Sequence, residues 1–431
     1  MRLSSKGLLL VSLLGALFAT RESTAQSASR ADVHQLLAEP SRLRSWVEQR
    51  SPDAAQARAD ARALGEESRA ARLLPNPALD LSVSNFPVGP TNPRGLGLDR
   101  TLIYGAGLSE TFEIGKRGPR QEAADLRSAA GRFRTRAAVA RLVRDARAAL
   151  GRVVYAEERQ RVLGEMLSDA KRSTVIAEGR VAHQALAEVD LDRLRLDVAS
   201  LEAEVVRARG EAQSARADCA GALSADCDAK RASWSDVVLA TPSALPAATA
   251  NERAELRALE AEAAAFRKDA VLAGRRAIPD VTARLGYTRD TFTVSGDNEN
   301  TLSLSASIPL PFFDHGQHDR TAALARAEAR DENRKSLAVA SRAELASLAA
   351  RRRAVEATLS SLEKDTLPRA EAVLRAQEEG LARGQLDMTD LILARRQTIS
   401  LRLQALDLGH DAFQLKNQMR FLLGLDEPPT R

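Results

Sequence analysis

The feature that most constrains this chain is a strand-like stretch that leads directly into a very long helix. In residues 301–316, with the sequence TLSLSASIPLPFFDHG, apolar residues alternate with serines before two prolines. Period-two alternation is typical of a β-strand with one apolar and one polar face. Pro309 and Pro311 end the strand because proline cannot donate to a β-ladder. Beyond Gly316, Ala, Arg, Glu and Leu recur at helical spacing.

The same succession of strand, turn and helix occurs twice. Three pairs of segments match at an offset of roughly 200 residues. They are LLPNPALDLSVS with AIPDVTARLGYT, GLSETFEIGKRG with SASIPLPFFDHG, and EGRVAHQALAEVDL with EGLARGQLDMTDL. The sequence therefore predicts an internal duplication, in which each unit consists of a helix, two strands and two long helices.

The chain divides into five segments. Arg2 and Lys6, an apolar run of about 13 residues and small residues before a cut are typical of a secretory signal. The predicted segments are a signal peptide (1–25), a first repeat (26–217), a linker (218–250), a second repeat (251–424) and a C-terminal tail (425–431).

Within the repeats, the pattern predicts four strands and several long helices. Strands are expected at about 78–86, 101–112, 280–289 and 301–309, and long helices at about 119–178, 186–216, 317–379 and 386–423. A further helix is expected over about residues 32–72.

Composition agrees with long coiled-coil-like helices rather than a compact enzyme core. Of the 431 residues 28% are charged and only 3% are aromatic. The formal net charge of +5 is too small for this length to indicate a nucleic-acid partner.

Cys219 and Cys227 are the only cysteines of the sequence. In an exported chain they are expected to form a disulfide, and the alternative is two free thiols.

The strands are long enough to cross a membrane, whereas no apolar run of the sequence is long enough to do so as a helix. A tilted transmembrane strand needs ~9–11 residues, but an open four-stranded sheet would leave unpaired backbone groups in lipid. Three chains would close a twelve-stranded barrel. The polar side chains of the strands would then face a wet lumen: Asp80, Ser82, Ser84, Thr282 and Arg284.

This layout resembles the outer membrane factor family, the TolC-like exit ducts of tripartite efflux pumps. The resemblance runs from about residue 32 to 424 and rests on LPNPALDLSVSNF, ETFEIGKRGPR, PDVTARLGY, SIPLPFFDHGQ and EGLARGQLDMTDLILARRQ. The signatures are most similar to the cobalt–zinc–cadmium efflux branch. One departure is His315-Gly316, where that branch more often has Arg-Asn.

The resemblance implies an α/β outer-membrane efflux duct. Each chain would contribute four transmembrane β-strands and long coiled-coil helices, and a homotrimer would form a 12-stranded barrel above an α-helical periplasmic barrel. The implied partners are a periplasmic adaptor, an inner-membrane pump of the RND type and the lipid of the outer membrane. The implied function is passive export of heavy-metal cations. Alternatives are a drug or small-molecule efflux duct, a type I secretion duct, or, in another class, a periplasmic structural coiled-coil protein.

Two groups of residues are expected to carry this function. By resemblance, acidic side chains close the periplasmic pore: Asp390, Asp387, Asp190 and Glu188. They could instead be solvated carboxylates that the helix dipole favours. Leu393 stands where the family pattern places a second acid.

The turns at the periplasmic tips are the second group, which the resemblance assigns to adaptor contact. The residues are Gly179, Arg180, Val181, Ala182, Gly380, Leu381, Ala382 and Arg383. A plain helical hairpin turn is the alternative. Tyr104 and Tyr287 either belong to an aromatic belt at the membrane interface or are ordinary strand residues.

No enzyme site, cofactor site or metal site is expected. The five histidines are scattered, and no glycine-rich phosphate loop or nucleophile elbow is present. His315 and His318, with Asp314 and Asp319 beside them, are expected to form a solvated helix cap rather than a metal site.

Overall fold

The computed structural model describes residues 30–89, 94–95, 97–239, 253–292, 298–383 and 388–428. Most of this part of the chain is helical. The predicted signal peptide, residues 1–25, lies outside the described residues.

The first half of the chain begins with short elements and ends with a long helical hairpin. In order, these are β1 (Arg30–Asp32), α1 (Val33–Ala38), α2 (Pro40–Arg50), α3 (Pro52–Ala70), β2 (Ala78–Ser84), α4 (Leu98–Thr101), β3 (Ile103–Phe112), α5 (Arg117–Ala182) and α6 (Glu188–Leu223). The 66 residues of α5 make a rod about 100 Å long, because an α-helix rises 1.5 Å per residue.

Two short elements connect the halves: β4 (Asp226–Asp228) and α7 (Trp234–Leu239). The second half then repeats the order of helix, two strands and long helical hairpin. Its elements are α8 (Ala254–Gly274), a 3₁₀ turn (Arg275–Ala277), β5 (Val281–Asp290), β6 (Asn300–Ser307), α9 (Gln317–Ser361), a π-helical turn (Leu362–Thr366), α10 (Leu367–Arg383) and α11 (Met388–Leu422).

The two strand pairs join edge to edge into one antiparallel sheet with the order β2-β3-β5-β6. The central pair, β3 and β5, is in register over ten positions, from Ile103 opposite Asp290 to Phe112 opposite Val281. The duplicated units therefore meet at the centre of the sheet, and β2 and β6 form its edges. The hairpin predicted from each repeat is thus half of a single layer.

The turn from sheet to long helix is the same in both halves. Gly115 has φ +71° and lies just before α5, and Gly316 has φ +82° and lies just before α9. Such left-handed backbone costs glycine nothing, since it has no Cβ. A Cβ on Gly316 would lie 2.0 Å from the carbonyl oxygen of Ala273, so the close approach of α8 also requires glycine here.

The long helix that follows the sheet is continuous in the first half, as α5, but is interrupted in the second half. The π-helical turn at Leu362–Thr366 is followed by Pro368 in the first turn of α10. Proline has no N–H to donate to the carbonyl group four residues earlier, and π-turns commonly accommodate such a defect. The long helix predicted over about 317–379 is therefore two α-helices with a π-turn between them.

Several other predicted helices have different bounds. The helix expected over about 32–72 is divided into α1, α2 and α3, because Glu39 and Ser51 precede prolines and adopt extended backbone. Helix α6 continues to Leu223, so Cys219 lies in its last turns rather than in the linker. Cys219 and Cys227 are joined by a disulfide that holds the end of α6 against β4.

The main hydrophobic core lies beside the middle of α5. Here α1 and α2 pack against α5, α6 and the C-terminal part of α11. Its large, almost fully buried members include Val33, Leu43, Val47, Val143, Leu150, Val153 and Leu223. Smaller clusters continue along the hairpins toward their tips, so the long helices are held together along their length.

Candidate functional site

The tips of the two long hairpins pack against each other. The tip of the first hairpin is formed by the end of α5 and the start of α6, and that of the second by the end of α10 and the start of α11. A small apolar cluster joins them: Ala177, Leu191, Leu194, Leu374, Leu391 and Ala394. The two repeats, roughly 200 residues apart in sequence, thus present their tips side by side.

The described members of the predicted pore acids lie at the starts of α6 and α11, the second helices of the two hairpins. Asp390 is in the first turn of α11 and is exposed, and Glu188 in the first turn of α6 is exposed as well. Asp190 is half-buried and accepts a hydrogen bond from Arg193 Nη1 at 3.0 Å. Asp387 lies outside the described residues.

Arg193 joins the two tips beside their predicted pore acids. Besides Asp190, its Nη1 atom donates to Thr389 Oγ1 at 3.2 Å, and Thr389 is the neighbour of Asp390. Asp190 is therefore compensated by a cation that ties α6 to α11, whereas Asp390 projects into solvent. Leu393, one helical turn beyond Asp390, has 63% of its surface exposed. The exposed face of α11 thus presents an acid followed by an apolar side chain.

A buried ionic cluster lies behind this face, between the hairpins. Arg395 of α11 is fully buried, donates to Ser173 Oγ of α5 at 2.6 Å and approaches Asp197 of α6 at 3.7 Å. Arg396 Nε donates to Asp197 Oδ1 at 2.9 Å. A cation of the second repeat therefore lies enclosed between both helices of the first hairpin.

The burial of this cluster affects how its groups titrate. Burial lowers the pKa of Arg395, against the attraction of Asp197 and Glu378. Burial likewise raises the pKa of Glu378, although the charge of Arg395 opposes that shift. In the described part of the chain, Arg395 Nε and Nη1 and Asp197 Oδ2 have no hydrogen-bond partner. Such incompletely paired buried charges stabilise packing poorly, so the hairpin contact here is a weak point.

Sequence reasoning missed this cluster, although one signal for it exists. Arg395 lies four residues after Leu391 and four before Ile399, both of which are buried on α11. Residues four apart share a helix face. An arginine in that line of apolar residues indicates a buried cation, but the sequence does not indicate its partner.

The residues predicted to form the tip turns are helical. Gly179, Arg180, Val181 and Ala182 make the last turn of α5, and the second set, Gly380 to Arg383, makes the last turn of α10. The break in the first hairpin therefore lies at residues 183–187, later than expected. In the second hairpin α10 continues to Arg383, and residues 384–387 lie outside the described residues. A helical turn presents these residues around the helix end, rather than as an extended loop.

The sheet has one polar and one largely apolar face. Paired register places Leu79, Leu108, Leu285 and Leu304 side by side on the apolar face. Tyr104 and Tyr287 lie on the same face nearer the loop end, and Tyr287 Oη hydrogen-bonds to Asn300 Oδ1 at 2.6 Å. None of the described helices contains an apolar stretch long enough to cross a membrane.

The histidines near the start of α9 belong to a turn. Asp314 accepts from the backbone N–H of Gly316 at 2.9 Å, and Asp319 pairs with Arg276. These contacts occupy the two carboxylates that flank His315 and His318. Across the described residues, no cluster of three or more His, Cys, Asp or Glu side chains is arranged to hold a metal ion.

Comparison with known proteins connects this geometry to a family. Residues 245–425 match the family described as outer membrane efflux protein. The chain is 28% identical over 280 residues to the cobalt-zinc-cadmium resistance protein CzcC of Cupriavidus metallidurans, covering 63% of this chain and 65% of CzcC. It is 29% identical over 280 residues to the nickel-cobalt-cadmium resistance protein NccC of Alcaligenes xylosoxydans, covering 63% of this chain and 60% of NccC. The matched region is thus slightly under two thirds of either relative.

Solved structures extend the similarity to nearly the whole chain. The fold matches that of CusC with a TM-score of 0.75 at 17% identity, over 89% of this chain and 91% of CusC. It matches the outer membrane protein VceC of Vibrio cholerae with a TM-score of 0.70 at 19% identity, over 89% of this chain and 96% of VceC. The twelve-stranded barrel and the trimer of the predicted fold class stay predictions. The predicted family resemblance is confirmed over residues 245–425, which form a domain of the outer membrane efflux protein family, and the described part of the chain has the fold of CusC and VceC.

Proposed function

We propose that this chain is the outer-membrane channel of a tripartite efflux pump, through which heavy-metal cations leave passively. The observation that carries the proposal is the four-stranded sheet, which has open edges and an exposed row of leucines. Leu79, Leu108, Leu285 and Leu304 lie at one level across all four strands and have 68, 52, 49 and 81% of their surfaces exposed. A continuous apolar row of this kind is suited to lipid.

The open edges supply the reason for assembly. Strands β2 and β6 each have a single neighbour in the sheet. In a bilayer every backbone polar group must be paired, so β2 of one copy would pair with β6 of the next. Three copies close a twelve-stranded barrel, and the long hairpins of the same three copies continue it as a helical tube into the periplasm. The chain is therefore a homotrimer in this proposal.

The periplasmic end of the tube is closed by the hairpin tips. Asp390, exposed at the start of α11, forms an acidic ring around the threefold axis, with Asp190 and Glu188 of α6 nearby. Asp387 is assigned to the same constriction from the sequence alone. Rings of carboxylates attract cations. Leu393 places an apolar ring one turn further along the tube. Because Asp190 is compensated by Arg193, Asp390 is the principal acid of the constriction.

Opening requires the α10–α11 hairpin to move relative to the α5–α6 hairpin. The Arg395–Asp197 cluster lies in that contact, and its incomplete pairing makes separation less costly. The adaptor contacts the last turns of α5 and α10, around Gly179 to Ala182 and Gly380 to Arg383. An inner-membrane pump of the RND type supplies the energy, and this chain makes and breaks no covalent bond.

The cargo is proposed from the relatives. CzcC and NccC are named for resistance to cobalt, zinc, cadmium and nickel, and an acidic constriction favours cations. A duct for drugs, small molecules or secreted proteins is the alternative, because the pump rather than the duct wall selects what enters. Deletion of the gene should lower tolerance of these metals and leave drug tolerance unchanged. A loss of drug tolerance alone would contradict metal export.

The assembly is tested by the mass of the mature chain extracted from outer membranes in mild detergent, corrected for bound detergent. A mass near that of three chains supports the shared barrel. A monomer in the soluble periplasmic fraction would contradict it and would favour a structural coiled-coil protein.

The constriction is tested in planar bilayers. Asp390→Ala should raise the single-channel conductance, because it removes the charges that hold cations at the narrowest point. Asp192→Ala is the matched control: Asp192 is an acid on α6 that pairs with Arg195 and has 61% of its side chain exposed. Equal conductance changes in both variants would mean that Asp390 has no special place in the pore.

A further inference from the structure

The polar face of the sheet is made almost entirely of small residues. Glycine, serine and threonine occupy most of its positions on all four strands. Among the described strand residues, the charged side chains on this face are Asp80, Arg284 and Asp290. Asp290 is the last residue of β5, whereas Asp80 and Arg284 lie within their strands. Asp80 and Arg284 are therefore the charged side chains on this face that lie within the strands rather than at a strand end.

Arg284 reaches across a neighbouring strand to Asp80. Its Nη2 atom lies 3.8 Å from Asp80 Oδ2, and Ser109 Oγ on the intervening strand donates to the same carboxylate oxygen at 3.5 Å. About half of each charged side chain remains exposed, 49% for Arg284 and 46% for Asp80. The pair is thus held against the sheet, while about half of each side chain stays accessible to solvent.

Gly107 makes room for this arrangement. A Cβ at position 107 would lie 2.8 Å from Arg284 Nε and 3.0 Å from Nη2. Gly107 is directly opposite Asp80 on β2 and Gly286 on β5. The guanidinium group therefore lies close against the backbone of β3 at Gly107, in a recess that any larger residue would fill. A side chain there would lift the cation off the wall.

We propose that Arg284 and Asp80 together set the charge selectivity of the strand-lined part of the channel: the acid cancels the cation that lies over Gly107, so that this part favours neither sign of ion. This inference rests on the proposed function, since it needs three copies around one lumen. Fixed charges in a pore wall decide which sign of ion passes. Three arginines without compensation would repel cations, whereas three Arg284–Asp80 pairs give a ring with no net charge. The recess at Gly107 keeps those pairs out of the path of the cargo.

Reversal potentials in planar bilayers under a KCl gradient test the charge. Arg284→Gln should raise the permeability ratio of K⁺ to Cl⁻ by about two-fold or more, and Asp80→Asn should lower it by a similar factor. The double variant Asp80→Asn/Arg284→Gln should return to the ratio of the wild type, because it carries no net charge either. Each variant is measured both alone and with Asp390→Ala, so that the acidic tip does not mask the strand region.

Arg289→Gln is the matched control. Arg289 is on the same strand as Arg284 but on the opposite face, opposite Tyr104. It should leave the permeability ratio unchanged. If Arg289→Gln shifts the ratio and Arg284→Gln does not, the face assignment and the proposal are both wrong.

Gly107→Val tests the recess separately. It should lower the single-channel conductance of the wild type, because the displaced guanidinium enters the lumen, and it should have a smaller effect combined with Arg284→Gln. Equal losses in both backgrounds would overturn the role of the recess.

A wild-type protein that forms no channel would contradict the proposed function itself. A conducting wild type with unchanged ratios in all charge variants would overturn the selectivity role of the pair.

Discussion

Arg147 and Asp426 form a two-pronged ion pair in the interior of the protein. Arg147 Nη1 and Nη2 donate to Asp426 Oδ2 and Oδ1 at 2.8 and 2.9 Å, and the side chains are only 6% and 1% exposed. Asn417 Oδ1 accepts a further bond from Arg147 Nη1 at 3.1 Å. The pair joins the middle of α5 to the segment that follows α11. It thereby fastens the C-terminal end of the chain to its first half.

Replacing Asp426 should destabilise the protein strongly. Asp426→Asn leaves Arg147 buried without its counter-charge, and breaking such a buried pair costs about 3–5 kcal/mol of unfolding free energy. Asp218→Asn is the control, since Asp218 pairs with Arg152 at 3.0 Å while both side chains are more than half exposed; exposed pairs contribute about 1 kcal/mol or less. Denaturant unfolding in detergent measures both. Equal losses in the two variants would contradict the buried pair's role.

The same ion pair should make the free energy of unfolding depend on pH in the acidic range. Burial alone would raise the pKa of Asp426, but the hydrogen bonds and charge of Arg147, together with the charge of Arg420, outweigh burial and lower that pKa. A carboxylate whose pKa is lower in the folded than in the unfolded protein stabilises the fold at pH values above its unfolded pKa of about 4. This contribution is lost as the pH falls through the pKa of the folded state. The stability gap between wild type and Asp426→Asn should therefore be constant above about pH 5 and narrow below about pH 4. A gap that stays constant down to about pH 2 would contradict this assignment.

The charges between the hairpins should show strong coupling. Asp197→Asn should cost about 3 kcal/mol of unfolding free energy, because Arg395 is fully buried and loses its nearest anion. Adding Arg395→Met should recover much of the loss, since methionine fills a similar space without a charge. Thermal unfolding of the two single variants and the double variant in detergent measures the coupling. A double variant whose losses simply add would mean that the two charges act independently.

Removing the disulfide should destabilise the protein at the C-terminal end of α6. Cys219 and Cys227 are 8 residues apart, and closing a loop of this size stabilises by about 2–3 kcal/mol in the chain-entropy model. The double variant Cys219→Ser/Cys227→Ser should therefore unfold at a lower denaturant concentration. A reductant should lower the midpoint of the wild type toward that of the variant and leave the variant unchanged. A wild type that is insensitive to reductant would contradict the contribution of the bond.

Gly316 should tolerate no side chain. Gly316→Ala places a Cβ 2.0 Å from Ala273 O and holds alanine at φ +82°, a conformation that costs about 1–3 kcal/mol before the clash is counted. Gly210→Ala is the opposite case, because Gly210 lies within α6 and a Cβ there would have no neighbouring atom within 4 Å; alanine should stabilise this position by about 0.5–1 kcal/mol. Unfolding midpoints that move in the same direction in both variants would contradict this distinction.

The sequence indicated the repeated pattern correctly because that pattern is local. Alternation in residues 301–307 and around Leu285 identifies strands from adjacent residues alone, and the prolines and glycines beside them mark the turns. The left-handed glycine before α9 could likewise be expected where a strand turns into a helix. The family resemblance also rests on short motifs, whose residues and order can be read from the sequence without knowing how the helices and strands pack.

Contacts between distant segments could not be predicted in the same way. Residues 425–431 were expected to be a tail, yet Asp426 is buried against Arg147, 279 residues earlier in the chain. Arg395 is recognisable as a cation in an apolar line, but its neighbours Ser173 and Asp197 lie on two other helices. Arg284 and Asp80 are both identifiable as polar-face residues, whereas the recess at Gly107 depends on strand register.

The sequence by itself determined the strands, most of the long helices, their duplication and the two faces of the strands, because backbone propensity and side-chain periodicity act between near neighbours. The tertiary structure alone decided which charges are buried, which are compensated and which face solvent. Those properties depend on how whole helices and strands are placed against one another, since the free energy of a charge is set by its dielectric surroundings and its partners rather than by its position in the sequence.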